Sequence, residues 1–370
     1  MDKTIYIHIG SHKTGTTSLQ HFLSANRKVL AENGYSYPGQ AFNHHDMVNE
    51  FRTLALSDII TNPDTATQKY FNEIHKSGLG KIILSSEIFE NTGMPVDKLK
   101  EFLDGRFFVK IIFYVRRQDE KTESAYNEAV KDFQTHYDKP VTEFIKIFSE
   151  SERGDSVNPP LPEKRLIYTD YYSLLIPWRD TFGRDNIIIR CYEEEQLPDG
   201  IYYDFLDTVG LVLNEKYRIP QRRINESLSR DLTEFFRICN ASIKTDSDFN
   251  SFLLRNLRQI QLENTEKKQR LLSPQQRRDI ISLFEESNAK VAREYLGRSD
   301  GRLFYAPLPD LQEPWKPYEG LTVEKIVPIF IQMIFNHNKM CQKQERELER
   351  QSLKQRIIRI IKTTQTRFGL

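Results

Sequence analysis

Short apolar runs alternate with amphipathic stretches over the first two-thirds of the chain. Two stretches, Thr16–Glu32 and Asp119–Gln134, carry apolar residues at helical spacing and are predicted to be helices. The apolar runs are short and rich in Ile, Val and aromatic residues, as buried strands are. These predicted strands are Thr4–Ile9, Lys81–Ser85, Phe107–Val115 and Asn186–Cys191. Strands separated by helices indicate a three-layer α/β/α fold around a parallel sheet of about four or five strands.

The pattern changes after about Glu226, where the strand signal disappears and helical spacing continues. The helices predicted there are Leu228–Cys239, Phe249–Glu263 and Pro274–Leu296. Ser273, Pro274 and Gln276 fit a helix start with a capping box.

Loop and linker composition suggests the domain organisation. Glu150–Pro162 is predicted to be a surface loop, and the proline-rich segment Arg302–Tyr318 is predicted to be extended. We therefore expect one domain over residues 1–310, followed over residues 311–370 by a proline-containing linker and a basic helical tail.

Composition and charge indicate which cellular compartment and which classes of partner to expect. The formal net charge is +1, so nothing global indicates a nucleic-acid partner. The three cysteines are far apart and lack metal-ligand spacing, which fits a reducing compartment. We see no secretory signal, and the longest apolar run, Ile326–Phe335, is too short to cross a bilayer. The expected location is cytoplasmic.

The first predicted strand runs into a glycine-containing turn, which a helix follows. From Gly10 to Ser18 the turn reads Gly-Ser-His-Lys-Thr-Gly-Thr-Thr-Ser. Free N–H groups in a helix's first turn bind anions, and Lys13 adds a positive charge. In a Walker A loop the lysine follows the second glycine, whereas Lys13 precedes Gly15. The order of residues therefore argues against a kinase or GTPase.

This turn resembles the 5′-phosphosulfate-binding loop of sulfotransferases that use 3′-phosphoadenosine 5′-phosphosulfate (PAPS). The resemblance implies that PAPS is the co-substrate, that no metal is required, and that the lysine and loop amides hold the phosphosulfate. The residues that would do so are Lys13, Thr14, Gly15, Thr16, Thr17 and Ser18. The alternative is a capped turn with a solvent-exposed lysine, which consecutive hydroxyl residues at a helix start disfavour.

A second nucleotide signature follows the strand that ends in Tyr-Val-Arg-Arg. Ser124 lies eight residues beyond Arg116, and this spacing resembles the family's 3′-phosphate-binding element. The sequence departs from the common pattern at Arg117-Gln118, where many members have Asp or Asn followed by Pro. Without the preceding loop, a surface arginine and an exposed serine would be the better interpretation.

Two further positions follow from the resemblance, which spans roughly residues 4–305. Tyr192 stands in a stretch similar to the family's Tyr-Glu-Asp, which implies packing near the adenine; a simple buried aromatic is the alternative. The Arg-Lys-Gly nucleotide element of cytosolic animal enzymes is not visible. Arg222 or Arg223 is the candidate to replace it.

Sulfuryl transfer requires a base near the acceptor hydroxyl and positive charge at the leaving phosphate, which Lys13 is expected to supply. Glu87 follows a predicted strand and should lie at the carboxyl edge of the sheet. Polysaccharide and tyrosyl-protein sulfotransferases have a glutamate at a comparable place, so Glu87 is the favoured base. A glutamate that only stabilises a helix start is the alternative.

Histidines are the rival bases, because an unperturbed imidazole titrates near neutral pH. His44 and His45 are adjacent, and both are expected to line the acceptor site rather than to take the proton, with His45 the candidate catalytic residue. The alternative is one surface histidine and one helix-capping or core histidine. His12 lies in the loop, where contact with phosphosulfate or bracing of the loop are both open.

The predicted function is a PAPS-dependent sulfotransferase of bacterial type that acts on a sugar hydroxyl of a polysaccharide or glycolipid. A nucleoside-triphosphate-dependent kinase and a non-catalytic nucleotide-binding scaffold are the alternatives. The basic amphipathic segment Ser352–Leu370 can lie on the inner face of an anionic membrane. A partner-packing or oligomerising helix and an ordinary solvated helix are the alternatives.

Overall fold

The computed structural model describes residues 3–90, 93–132, 135–151, 170–220, 228–242, 247–263 and 269–368. The loop predicted at Glu150–Pro162 lies outside these residues, apart from its first two, which end a helix. Arg222 and Arg223 also lie outside them.

Five parallel strands form one sheet in the order β2–β3–β1–β4–β5. The strands are β1 (Lys3–His8), β2 (Tyr35–Ser36), β3 (Lys81–Ser85), β4 (Phe107–Val115) and β5 (Ile187–Cys191). The predicted α/β fold with a parallel sheet is confirmed. Sequence analysis missed β2, because two residues are too few to give a recognisable apolar run.

Helices connect the strands and continue beyond the last one. They are α1 (Thr16–Ala25), α2 (Arg27–Glu32), α3 (His45–Thr53), α4 (Leu56–Thr61), α5 (Ala66–Ser77), α6 (Val96–Leu103), α7 (Gln118–Lys131), α8 (Val141–Ser151), α9 (Tyr171–Phe182), α10 (Gly200–Thr208), α11 (Arg230–Ser242), α12 (Ser247–Glu263), α13 (Pro274–Leu283), α14 (Glu285–Leu296) and α15 (Val323–Phe368). Short 3₁₀ turns cover Glu87–Glu90 and Arg184–Asn186.

Neighbouring residues on the strands bury opposite faces of the sheet. Ile111 belongs to a buried cluster with Phe71 of α5, whereas Ile112 belongs to a second cluster with Phe22 of α1. Side chains alternate between the two faces of a strand, so both faces of the sheet are covered by helices. The predicted three layers are present.

Two predicted helices are each interrupted once. The helix predicted over Thr16–Glu32 breaks at Asn26, whose side-chain amide donates to the carbonyls of Phe22 and Arg218 at 2.8 and 3.0 Å. The helix predicted over Pro274–Leu296 breaks at Phe284. An asparagine that bonds to backbone competes with the helical ladder, which accounts for the first break. The capping box of Ser273 and Gln276 is confirmed.

The chain divides into two compact units whose segments alternate along the sequence. The first comprises Met1–Glu128, Lys139–Ser227 and Arg270–Lys316 and contains the whole sheet. The second comprises Ala129–Asp138, Leu228–Gln269 and Pro317–Leu370. The predicted boundary at residue 310 stays a prediction.

The second unit is helical in its described part. Within it, the Tyr318 hydroxyl donates to Asp231 at 2.7 Å, and Phe235 meets Phe330 edge to face. Among the described helices, none has the apolar run that crossing a bilayer requires. Most side chains of the basic tail are not among those that the structure describes, so the membrane contact of this tail stays a prediction.

Candidate active site

The turn after β1 is built around Gly10. Its φ of 110° lies in the region that favours glycine, and a Cβ there would come within 3.3 Å of the Glu87 Cα. The turn is fixed to β4, because Tyr114 N–H donates to Gly10 O and Ser11 N–H donates to Tyr114 O, both at 2.9 Å. The loop and Glu87 therefore lie in direct contact at the carboxyl edge of the sheet.

Gly15 ends the loop and precedes α1. Its φ is 77°, and a Cβ there would lie 3.1 Å from the ring of Tyr192. Glycine has no side chain that could cap the helix, so the first-turn N–H groups of α1 are left to a ligand or solvent. Tyr192 thus packs on the loop that is predicted to hold the phosphosulfate.

The hydroxyl groups of the loop divide into two sets. Those of Thr14 and Thr16 are buried and both donate to the carbonyl of Ser11, at 2.6 and 2.9 Å. Thr17 and Ser18 are half-buried, and the Ser18 Oγ lies 2.5 Å from the hydroxyl of Tyr202. The first set shapes the loop, so Thr14 and Thr16 can offer a phosphate only their backbone N–H groups in this arrangement. Direct contacts of all four with a ligand stay predictions.

A buried carboxylate holds the other side of the loop. Glu90 accepts from the Ser11 hydroxyl at 2.6 Å and from the His12 N–H at 2.7 Å. It also forms an ion pair with Lys121 of α7 at 2.7 Å. Burial lowers the pKa of His12, which favours a neutral imidazole. This bracing of the backbone at His12 matches one of the two predicted roles, and contact with the phosphosulfate stays untested.

Lys13 has a left-handed backbone, with φ 68°. Its Nζ forms an ion pair with Glu128 of α7 at 2.7 Å, in which both side chains keep some exposure to solvent. Its carbonyl accepts from Nη1 of Arg116 at 3.0 Å. To bind a phosphosulfate, the Lys13 ammonium would leave the Glu128 carboxylate and pair with the ligand instead.

The structure brings the two predicted nucleotide elements together. Arg116 lies 103 residues beyond Lys13 in sequence, yet it hydrogen bonds to the loop and lies 5.7 Å from the Tyr192 ring centroid. Ser124 is half-buried on α7, one turn after Glu120 and one turn before Glu128. The loop, Arg116 and Tyr192 therefore lie in contact, whereas the binding roles of these residues and of Ser124 stay predictions.

A second arginine lies at the same place. Glu120 binds Arg116 Nε through one oxygen and Arg270 Nη2 through the other, both at 3.2 Å. Arg270 also pairs with Glu123 at 3.2 Å. Burial would raise the pKa of Glu120, but the two arginines hold it below its usual value. One carboxylate thus holds two guanidinium groups, one turn before Ser124 on α7.

Glu87 lies at the other side of the loop, with most of its side chain buried. One carboxylate oxygen accepts from Gln20 Nε2 at 2.8 Å, and the other lies 3.4 Å from Nε2 of His45. Nδ1 of His45 lies 2.7 Å from the hydroxyl of Ser86. Burial would raise the pKa of Glu87, but the hydrogen bonds and charge of His45, with Gln20, lower it to about 2. Glu87 is an ionised carboxylate at neutral pH.

The neighbouring histidines have a different role. His44 is fully buried, its Nε2 lies 3.1 Å from the carbonyl of Pro38, and its Nδ1 accepts from the N–H of Ser85 at 3.1 Å. Burial lowers its pKa to about 4. His44 is therefore a neutral core residue that fixes the start of α3, which leaves His45 to face Glu87.

Several residues of the site were missed from the sequence: Gln20, Glu90, Lys121, Tyr171 and Arg270. Glu90, Tyr171 and Arg270 come from segments with no nucleotide motif, whereas Gln20 and Lys121 lie beside or inside the two motifs at positions to which the motifs give no role. From the sequence alone, a charged residue inside a predicted helix, such as Lys121, is expected to be exposed to solvent. The sequence suggested Arg223 as the additional cation, but that residue lies outside the described part of the chain. Within the described part, no three His, Cys, Asp or Glu side chains are grouped as a metal site requires.

No protein-family model matches this chain. A curated protein of Archaeoglobus fulgidus, described as uncharacterized, is 29% identical over 232 residues, which are 58% of this chain and 54% of that protein. The chain therefore matches about half the length of this relative.

Three solved structures match the fold at low TM-scores. They are a sulfotransferase from Alicyclobacillus acidocaldarius (TM-score 0.39, 16% identity, 68% of this chain and 100% of that one), the sulfotransferase domain from the curacin biosynthetic pathway (0.35, 12%, 76% and 97%) and the mouse sulfotransferase SULT7A1 complexed with PAP (0.34, 15%, 79% and 86%). All three are sulfotransferases, the family that the loop sequence resembles. Because these scores are low, function has to be inferred from the chain's own site.

Proposed function

We propose that this protein transfers a sulfuryl group from PAPS to a hydroxyl group of a carbohydrate. The observation that carries the proposal is the contact between the loop and Arg116, whose Nη1 donates to the carbonyl of Lys13 at 3.0 Å. Two sequence elements that resemble the 5′- and 3′-phosphate sites of one nucleotide thus meet at the edge of one sheet. Ligands of open α/β folds bind at this edge.

The loop fits the 5′-phosphosulfate. Lys13 and the first-turn N–H groups of α1 offer positive charge and donors to an anion. In the reaction, the bond between sulfur and the bridging phosphate oxygen breaks, and its electron pair stays on the 5′-phosphate. Lys13 stabilises that charge as it develops, which lowers the barrier more than ground-state binding alone would.

The opposite part of the site fits the 3′-phosphate. Arg116 and Arg270 are held on the two oxygens of Glu120, and Ser124 adds a hydroxyl on the same face of α7. Arginines bind phosphate oxygens in pairs of parallel hydrogen bonds. Tyr192, which packs against Gly15 and Arg116, offers a ring surface for the adenine.

Glu87 is the group best placed to take the acceptor's proton. An ionised carboxylate has about four lone-pair sites, and Glu87 uses two, for Gln20 and His45. Both nitrogens of His45 are already engaged, one by Ser86 and one by Glu87. As the acceptor oxygen bonds to sulfur, its proton passes to Glu87. A sugar is proposed as the acceptor because the related enzymes that use glutamate at this place include those for polysaccharides.

The nucleotide is tested by thermal unfolding of the purified protein with 3′,5′-adenosine bisphosphate, compared with ATP and magnesium. At a hundredfold its Kd, a ligand stabilises the folded state by about 2.7 kcal/mol, a shift of a few degrees in a chain of this size. We expect stabilisation by the bisphosphate alone, and its loss in Arg116→Ala.

Arg184→Ala provides a matched control, because Arg184 is an exposed arginine of the same unit that pairs with Asp185 and has no contact with the loop. This variant should respond to the bisphosphate as the unaltered protein does. Stabilisation by ATP and magnesium, without a response to the bisphosphate, would contradict the proposal and favour a kinase.

A further inference from the structure

The underside of the phosphate loop rests on one buried carboxylate. The Glu90 side chain is excluded from solvent, and its oxygens accept from the hydroxyl of Ser11, the N–H of His12 and the ammonium of Lys121, at 2.6, 2.7 and 2.7 Å. The contacts with Ser11 and Lys121 are buried, and the contact with His12 is partly buried. Glu90 therefore fixes the loop just before Lys13, through the hydroxyl of Ser11 and the backbone of His12.

Lys121 extends this support from the loop to α9. Its side chain is 2% exposed, donates to both Glu90 and the hydroxyl of Ser11, and lies 5.1 Å from the ring centroid of Tyr171. Burial lowers the pKa of Lys121, which the charge of Glu90 opposes. Apolar residues of similar volume would stabilise a fold as well as a buried ion pair does. Packing alone does not explain why charged groups stand here.

Tyr171 closes a circuit of contacts that returns to the loop. Its hydroxyl donates to the carbonyl of Arg116 at 2.5 Å and accepts from the N–H of Arg116 at 3.1 Å. Arg116 in turn donates to the carbonyl of Lys13 at 3.0 Å. The circuit runs from the loop through Glu90, Lys121, Tyr171 and Arg116 back to the loop, and its members come from five separate segments.

We propose that Glu90 and Lys121 are positioning residues that fix the loop relative to Arg116, so that both phosphates of one nucleotide are bound at once. Neither residue touches the nucleotide; they act through Ser11, His12 and Tyr171. This inference rests on the proposed PAPS site. It adds that the preference for a nucleotide with both a 5′- and a 3′-phosphate depends on a buried ion pair beneath the site.

The test compares affinities for 3′,5′-adenosine bisphosphate and adenosine 5′-phosphate by calorimetry. The key variant is Glu90→Met with Lys121→Met, which replaces the ion pair by apolar residues of similar length. We expect it to fold but to melt at a lower temperature, because the Ser11 hydroxyl and the His12 N–H lose their acceptor. Its preference for the bisphosphate should fall about tenfold or more, equivalent to ~1.4 kcal/mol. A purely structural pair would leave that preference unchanged.

A matched control removes an ion pair from the surface of the same unit. Glu286 and Lys290 pair at 2.7 Å on α14 and are largely exposed, so Glu286→Met with Lys290→Met should leave the preference intact. If the buried double variant does not fold, Ser11→Ala and Tyr171→Phe each remove one hydroxyl of the circuit and should each reduce the preference.

The outcomes separate the two proposals. Unaltered protein that does not bind the bisphosphate overturns the proposed function, and this inference with it. Unaltered protein that prefers the bisphosphate, together with variants that fold and keep the full preference, overturns this inference alone.

Discussion

The proposed nucleotide side and the proposed acceptor side of the site differ in how their charges are held. On the nucleotide side, the loop is braced by a dry ion pair, and Lys13 and Arg116 each carry a carboxylate partner from α7. On the acceptor side, Glu87 is held by Gln20 and His45 and keeps lone pairs to spare. The first arrangement suits one ligand of fixed geometry. The second suits a hydroxyl group that can arrive on acceptors of different shape.

The largest expected effect is on the acceptor side. Glu87→Gln keeps the shape and an oxygen that accepts from Gln20 but removes the base, and general bases contribute about 10²- to 10⁴-fold to rates. We expect kcat to fall by that order while the affinity for 3′,5′-adenosine bisphosphate stays unchanged. Turnover and calorimetry on the same preparation measure both. Normal turnover in this variant would show that Glu87 is not the base.

Lys13→Ala should impair both transfer and nucleotide binding. Loss of one preorganised donor to developing charge lowers kcat by about 10²- to 10³-fold. Because Lys13 also contributes to binding, the affinity for the bisphosphate should fall as well, unlike in Glu87→Gln. Lys28→Ala, on α2, is a control that should change neither kcat nor the affinity for the bisphosphate. Equal effects of the Lys13 and Glu87 variants on binding would remove the distinction between the two sides.

His45→Ala sharpens the assignment on the acceptor side. His45 is the main cause that lowers the pKa of Glu87 to about 2, so without it burial should raise that pKa. Since Glu87 acts as the ionised form, the acidic limb of the kcat profile should move to higher pH. A profile with an unmoved acidic limb would show that Glu87 and His45 are not coupled in the working enzyme.

The same coupling affects stability. The folded-state pKa of Glu87 lies below the unfolded value of about 4.5, so its ionised form stabilises the fold above that pH. This contribution should be lost as pH falls from about 4.5 toward 2, by about 1.4 kcal/mol for each unit. Denaturant unfolding at several pH values should show a steeper acidic loss in the unaltered protein than in Glu87→Gln. Identical slopes would contradict the low pKa.

The smallest expected effect concerns Glu128, which competes for Lys13. Partly exposed ion pairs contribute about 0.2–1 kcal/mol, so Glu128→Gln should tighten bisphosphate binding by no more than a few-fold. Calorimetry at low salt gives the best resolution, because salt screens such pairs. Weaker binding in this variant would show that Glu128 assists the nucleotide.

The sequence predicts features formed by contiguous residues better than contacts between residues that are distant along the chain. The turn from Gly10 to Ser18 could be interpreted because strand, glycines and helix start are contiguous. The placement of Arg116 and Glu87 at the carboxyl edge of the sheet could be predicted because each follows a predicted strand, and strand ends of a parallel sheet meet at one edge. The helix break at Asn26 depends on a bond to Arg218, far along the chain, and could not be predicted.

The supports beneath the loop lie beyond sequence reasoning for the same reason. Glu90 and Lys121 come 79 and 110 residues after Ser11, and each looks like an ordinary surface charge in its own segment. Only the packing of α7 against the loop buries them together. Arg270, which shares Glu120 with Arg116, is likewise brought in by the fold.

Transfer of label from PAPS with radioactive sulfur to a panel of oligosaccharide acceptors tests the central claim most directly. The account predicts that the unaltered protein labels at least one sugar hydroxyl, that Glu87→Gln does so far more slowly, and that labelled phosphate from ATP is not transferred. Phosphate transfer from ATP, or tight binding of PAPS with no acceptor of the panel labelled, would contradict it, and labelling at an equal rate by Glu87→Gln would contradict the role of Glu87.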